Sequence, residues 1–238
     1  MQLALDPKFS EAIKLLEQRR YAEAIALLRP MTLAHPTNGE YWLALGLALA
    51  ASEQFDPALD ALGRAFHADP RPPRATYHYA RLLQYRNRHQ EAIAALKTID
   101  HPDSQALLAL TQSLEAVGDP RGADQAYRRA MSEAALRPRE SASIQLRYAQ
   151  FLLRQKSFEA ALWQLNQSIR KQPFEGLAWL EKARALVFLN RLEEAADSLE
   201  QALAHGQRNK ENLLLLSRIY ARLGDKGKSE SYRREAEP

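Results

Sequence analysis

The chain has 238 residues, 46% of them hydrophobic and 26% charged, a balance that excludes a disordered polymer. It contains no cysteine, which excludes disulfides, thiolate metal sites and a cysteine nucleophile. Its net charge of +4 is a mild bias spread along the whole length, too diffuse to mark a nucleic-acid binder.

An alanine recurs at Ala24, Ala58, Ala92, Ala123, Ala161 and Ala195, and Ser229 continues the series. The intervals are 34, 34, 31, 38, 34 and 34 residues. A period of that length sustained along a chain predicts stacked helical hairpins. Such stacks act through a curved surface more than through a catalytic pocket.

In chain order, the first unit, about residues 5–38, carries Ala12, Ala24, Leu28 and Pro36. The second, 39–72, is the clearest: Trp42, Leu45, Gly46 and Leu49, then Ala58, Leu62 and Ala65, closed by Pro70. Its apolar positions lie three and four apart, on one helical face. Gly46 and Ala58 are small where two helices cross closely. Asp56-Pro57 reads as a helix start, because Asp caps free amides and Pro is tolerated in the first turn. The third unit, 73–103, has Tyr79, Ala80, Leu83, Ala92 and Leu96; the fourth, 104–134, has Leu107, Leu110, Leu114, Ala123, Tyr127 and Ala130. The fifth, 142–175, shows Tyr148, Ala149, Leu152, Phe158, Ala161, Leu165 and Pro173. The sixth, 176–209, repeats the tryptophan as Trp179, with Ala183, Leu186, Ala195, Leu199 and Ala202. The last, 210–238, offers Leu213, Leu216, Tyr220 and Gly224 before turning polar, which suits a terminal cap. Hairpin turns are expected near 19–20, 53–55, 87–88, 118–119, 155–157, 190–191 and 224–225.

This pattern resembles the tetratricopeptide repeat family, whose unit is a 34-residue helix–turn–helix with these residue types at these spacings. The resemblance implies an all-α fold, a right-handed superhelical solenoid of about seven hairpins, forming a single array over 1–238. Two departures stand out. The fourth unit is shortened and the stretch 132–141 lengthened, which marks a place for a bend or sub-boundary. Pro30 lies well inside a second helix, where it removes a hydrogen bond, so a kink or early break is expected there.

Signs of catalysis are absent from the sequence. The histidines, His35, His67, His78, His89, His101 and His205, have no metal-binding spacing, and neither a phosphate-cradling glycine loop nor a nucleophile elbow occurs. No enzyme activity, metal or cofactor is expected. No apolar run approaches the roughly 20 residues that span a bilayer, so no membrane span is expected. Met1 to Pro7 do not read as a signal peptide. The compartment stays open: cytoplasmic for a complete chain, exported if a leader has been removed.

In the family, the first helix of each hairpin lines a concave groove. Carried onto this sequence, that implies an apolar opening of Phe9, Ile13, Leu43, Ala44 and Leu47. Tyr77, His78, Arg81, Gln84, Tyr85, Leu108 and Gln112 follow. The later part is arginine-rich: Leu146, Arg147, Gln150, Arg154, Leu180, Arg184, Phe188, Arg218 and Arg222. Arginine forks bind carboxylates bidentately and tyrosines add contact area at low entropy cost. The family's clamp for C-terminal carboxylates is not reproduced at the matching positions. Trp42 and Trp179 are expected in the core, and Trp163 on the outer surface as a second contact. The implied function is a protein-interaction scaffold or adaptor for a peptide or protein segment of partly acidic character. A helical-repeat RNA binder and a regulatory or targeting segment of a larger enzyme are the alternatives. Nucleic acid is disfavoured because the positions that would read bases mix Leu, Ala, Tyr and Arg; self-association is left open.

Overall fold

Among the described residues, seven hairpin turns are closed by one backbone device. The first helix of each hairpin ends in a residue with left-handed backbone: Arg19, Glu53, Asn87, Gly118, Lys156, Asn190 and Gly224, with φ between 57° and 83°. The next amide then reaches back five residues, Arg20 to the Leu15 carbonyl, Gln54 to Leu49, Arg88 to Leu83, Asp119 to Leu114, Ser157 to Leu152, Arg191 to Leu186 and Asp225 to Tyr220, at 2.8–3.0 Å. This Schellman arrangement satisfies carbonyls that the helix end would otherwise leave without partners. The turns fall where the sequence places them.

The computed structural model describes residues 6–237; the expected start of the first unit at residue 5 and the end of the cap at 238 lie outside them. Among the described residues there are fourteen helices and no strand. They are α1 (Pro7–Glu17), α2 (Tyr21–Ala34), α3 (Gly39–Ala51), α4 (Phe55–His67), α5 (Ala75–Tyr85), α6 (His89–Leu96) and α7 (Ser104–Ala116). There follow α8 (Pro120–Glu133), α9 (Pro138–Arg154), α10 (Phe158–Lys171), α11 (Gly176–Phe188), α12 (Leu192–Ala204), α13 (Lys210–Arg222) and α14 (Lys226–Ala236). None is long and apolar enough to cross a membrane.

The chain divides into two compact units, 1–126 and 127–238, with the division inside α8. In the first, α1 packs on α2, α3 on α4 and α5 on α6, and each second helix also packs on the next first helix. First helices meet their successors as well, α1 with α3, α3 with α5 and α5 with α7. The second unit repeats the scheme from α9 to α14, with α9 touching α11.

The alanine ladder is the inner seam. Ala24, Ala58, Ala92, Ala123, Ala161 and Ala195 are all fully buried. Across the seam from Ala58, a methyl group on Gly46 would lie 2.6 Å from the Leu62 Cγ and 3.1 Å from the Leu62 backbone nitrogen. In the last hairpin two serines take these places, and the Ser217 hydroxyl donates to the Ser229 carbonyl at 2.8 Å. α14 is otherwise the polar cap that its composition predicts, with only Ala236 buried.

Three local expectations are corrected. α2 runs through Pro30 to Ala34 without a break; Pro30 and Ala26, whose carbonyl loses its partner, are both exposed, so water can bond that carbonyl. α4 starts at Phe55, ahead of Asp56, and Asp56 pairs with Arg86 at 2.9 Å while Gln54 holds the cap position. Trp42 is buried, but Trp179 is half-buried with Lys182 5.1 Å over its ring. Both indoles nevertheless make the same anchor, donating to the carbonyls of Pro36 (2.8 Å) and Pro173 (2.7 Å) six residues back.

Candidate partner-binding surface

Within the first unit, contacts between successive first helices gather part of the expected groove. The Arg81 guanidinium donates to the side-chain oxygens of Gln84 (3.1 Å) and Gln112 (2.7 Å), spanning α5 to α7. Gln84 is buried, and its amide donates to the Ala109 carbonyl and to the Ser113 hydroxyl. Gln84 is therefore a clasp between helices and is not offered to a partner. Arg81 remains exposed, and both of its side-chain acceptors are neutral. Tyr77 and His78 are half-buried, their rings 5.4 Å apart edge to face. Burial, and then the charge of Arg74, hold His78 below the usual histidine range.

The apolar opening largely closes into the core. Phe9 and Leu43 are buried, with the Phe9 ring against Tyr41 at 4.9 Å, and Ala44 is buried beside them. Ile13 and Leu47 are half-buried against the same cluster. The cause is the direct packing of α1 on α3, which uses the inward stripe that a partner would have met. Leu146 and Leu180 are buried in the second unit, while Leu108 in the first is half-buried.

The second unit hides a carboxylate that the sequence reading missed. Glu181 is buried, accepts from Gln150 of α9 at 3.2 Å and meets Arg184 at 3.4 Å. The Arg184 charge is thus already compensated. Arg147, Arg154, Arg218 and Arg222 are exposed, and Arg222 donates to the Asn190 side chain at 2.6 Å.

Each unit also carries an exposed aromatic pair at the turn edge. Tyr85 is 64% exposed and packs on Phe55 at 4.5 Å; Phe188 is 69% exposed and stacks on Phe158 at 4.6 Å, within 7° of parallel. Phe55 and Phe158 each stand three residues before a ladder alanine, a repetition that could have revealed them. Trp163, on the second helix of its hairpin, α10, is 57% exposed. Among the described residues, no group of three or more His, Asp or Glu side chains is arranged to hold a metal.

With this geometry in view, comparison with known proteins is informative. The profile of the tetratricopeptide repeat matches residues 108–175 and 180–238, together more than half of the chain. That of anaphase-promoting complex, cyclosome, subunit 3 matches residues 17–99. No curated protein matches the sequence. The C-terminal part of a TPR repeat-containing protein from Cytophaga hutchinsonii is 16% identical with a TM-score of 0.77, over 96% of this chain and 93% of that one. YrrB, described as a TPR protein with an unusual peptide-binding site, is 14% identical with a TM-score of 0.64, over 78% and 95%. The APC/C hetero-tetramer Cut9–Hcn1 gives 16% identity and a TM-score of 0.58, over 98% of this chain and 46% of that one. Identities this low establish a shared fold and no more. Together with the repeating turn and the alanine seam, the profile match settles the family: the chain belongs to the tetratricopeptide repeat family.

Proposed function

We propose that this protein is a non-catalytic interaction scaffold that takes a peptide or protein segment, acidic in part, on the face made by its first helices. The observation that carries this reading is Arg81, exposed and held in place between α5 and α7 by the neutral side chains of two glutamines. A guanidinium fixed by neutral bonds keeps its charge available and has already lost much of the side-chain freedom that binding would cost. Arg147 and Arg218 of the second unit extend the cationic character to that unit, whereas Arg184, engaged by Glu181, contributes less. Tyr85 and Phe188 supply apolar contact area beside these charges. The peptide-binding site credited to YrrB and the Cut9–Hcn1 assembly add support from proteins of the same fold.

Fluorescence anisotropy tests the proposal, with acidic and charge-neutral peptide libraries and single-stranded RNA as separate probes. Acidic peptides should bind, and weaken as salt rises, since exposed charges are screened beyond about 10 Å at 0.1 M. Arg81→Glu should weaken binding at least tenfold, because like charges across an interface cost several kcal/mol. Full affinity in that variant would sink the assignment of the first-helix face. Tight RNA binding with no peptide bound would replace the scaffold by a nucleic-acid reader.

A further inference from the structure

The first unit has a cleft of about 280 Å³ at the N-terminal ends of α5 and α7, bordering the first-helix face at Tyr77. Arg71, Arg74, Thr76, Tyr77, His101 and Asp103 supply its polar lining. We propose that this cleft is a binding site for a phosphate monoester dianion, held by Arg71 and Arg74. The site shares Tyr77 with the peptide-binding reading but rests on Arg71 and Arg74, which that reading does not use.

The two arginines are set in place without being neutralised. Arg71 lies over the Phe66 ring, 4.4 Å from its centre, and donates to the hydroxyls of Thr76 (3.2 Å) and Thr98 (3.0 Å). Arg74 lies over Tyr77 at 5.4 Å and donates to the Gln105 side-chain oxygen. The side chains they bond, Thr76, Thr98 and Gln105, are neutral, in contrast to Arg20, Arg88 and Arg191, each of which forks onto a glutamate three residues on at 2.6–2.7 Å. Each guanidinium keeps further N–H donors for a ligand, and forks of this kind match the oxygens of a phosphoryl group.

The backbone adds to the same potential. Arg74 occupies the N-cap position of α5 with no side-chain acceptor for the first-turn amides, so the positive end of that helix opens on the cleft. Among the described residues it is the one non-glycine residue with positive φ (66°) outside the hairpin turns. Left-handed backbone in such a residue costs on the order of 1–3 kcal/mol. Here it directs the Arg74 side chain toward Tyr77 and Gln105. His101 adds a ring nitrogen that can donate. The one carboxylate in the lining, Asp103, is engaged as the cap of α7, accepting the Ala106 amide at 2.7 Å. Two fixed cations and a helix N-terminus against one committed carboxylate favour a doubly charged oxyanion over a single carboxylate.

The test is an amide and arginine Nε NMR titration of the full chain at constant ionic strength. The probes are inorganic phosphate, blocked Gly-phosphoserine-Gly and blocked Gly-Glu-Gly. Both phosphate probes should give saturable shifts at Thr76, Tyr77 and the Arg71 and Arg74 side chains, while the glutamate peptide binds at least tenfold more weakly. A phosphoserine peptide tighter than inorganic phosphate identifies the source as a phosphorylated partner; equal affinity identifies a free phosphate species. Arg74→Gln should weaken phosphate binding at least tenfold, with thermal unfolding as the control for folding. Arg71→Gln, which also breaks the link to Thr98, is paired with His101→Gln so that a folding defect in one leaves the other interpretable. Shifts that do not saturate, that survive Arg74→Gln, or that the glutamate peptide reproduces at equal affinity overturn the proposal.

Discussion

One absent methyl group sets how closely α3 and α4 approach. A Cβ on Gly46 would stand 2.6 Å from Leu62 Cγ, inside any real carbon–carbon contact, with the Leu62 backbone close behind it. Gly46→Ala is therefore expected to destabilise the protein by about 1–3 kcal/mol, the usual cost of overpacking. Urea unfolding reads this directly, and an unchanged midpoint would mean that Leu62 can move aside freely. The small residue itself is legible from the repeat, since period and size together mark a helix crossing. Coverage by a neighbouring hairpin is not. Phe9, Leu43 and Gln84 stand on the side of the first helix that a groove would use, yet all three are buried. Helical spacing reports which face a residue takes, whereas its exposure depends on how closely α1 meets α3 and α5 meets α7. Glu181 escaped notice for the same reason: an acid on a helix reads as solvated until a second helix brings Gln150 over it.

Among the elements, the hairpin turn shows the limit from the other side. Turn positions follow from the 34-residue period, but the left-handed residue that makes each turn is glycine only at Gly118 and Gly224. At Arg19, Glu53, Asn87, Lys156 and Asn190 a side chain tolerates the conformation because the Schellman bonds on either side require it. The strain should be recoverable. Glu53→Gly and Lys156→Gly are each expected to stabilise the protein by up to about 1 kcal/mol, the relief of left-handed strain less the extra freedom glycine has when unfolded. Gly118→Ala should cost about 1 kcal/mol by the same reasoning. Thermal unfolding of the three variants decides the matter. If both glycine substitutions lower the midpoint, these side chains contribute more in place than their backbone strain costs.

At the scale of the whole molecule, each hairpin of a repeat array shares its apolar face with a neighbouring helix. Here α14 covers α13, and Ile219 and Tyr220 lie buried in the second unit's core. The closure is polar: the Tyr220 hydroxyl donates to Glu200 at 2.6 Å, the Tyr232 hydroxyl to the same oxygen at 3.1 Å, and Lys228 donates to the Tyr220 oxygen at 3.0 Å. Burial first, and then Glu200, raise both tyrosines above their usual value of 10.0. A raised value means that the neutral phenol is favoured by the folded state. Their contribution is therefore complete below about pH 10 and is lost as pH rises through the folded values. In an absorbance titration Tyr220 and Tyr232 should ionise after the exposed tyrosines, and helicity should fall as they do. Glu200→Gln should move both toward the ordinary value, because an amide oxygen accepts the phenol proton without a negative charge to oppose tyrosinate. Tyr232→Phe assigns the steps by difference. If the Glu200→Gln protein gives the same late ionisation as the natural chain, then burial alone sets the shift and Glu200 is not what holds the cap in place.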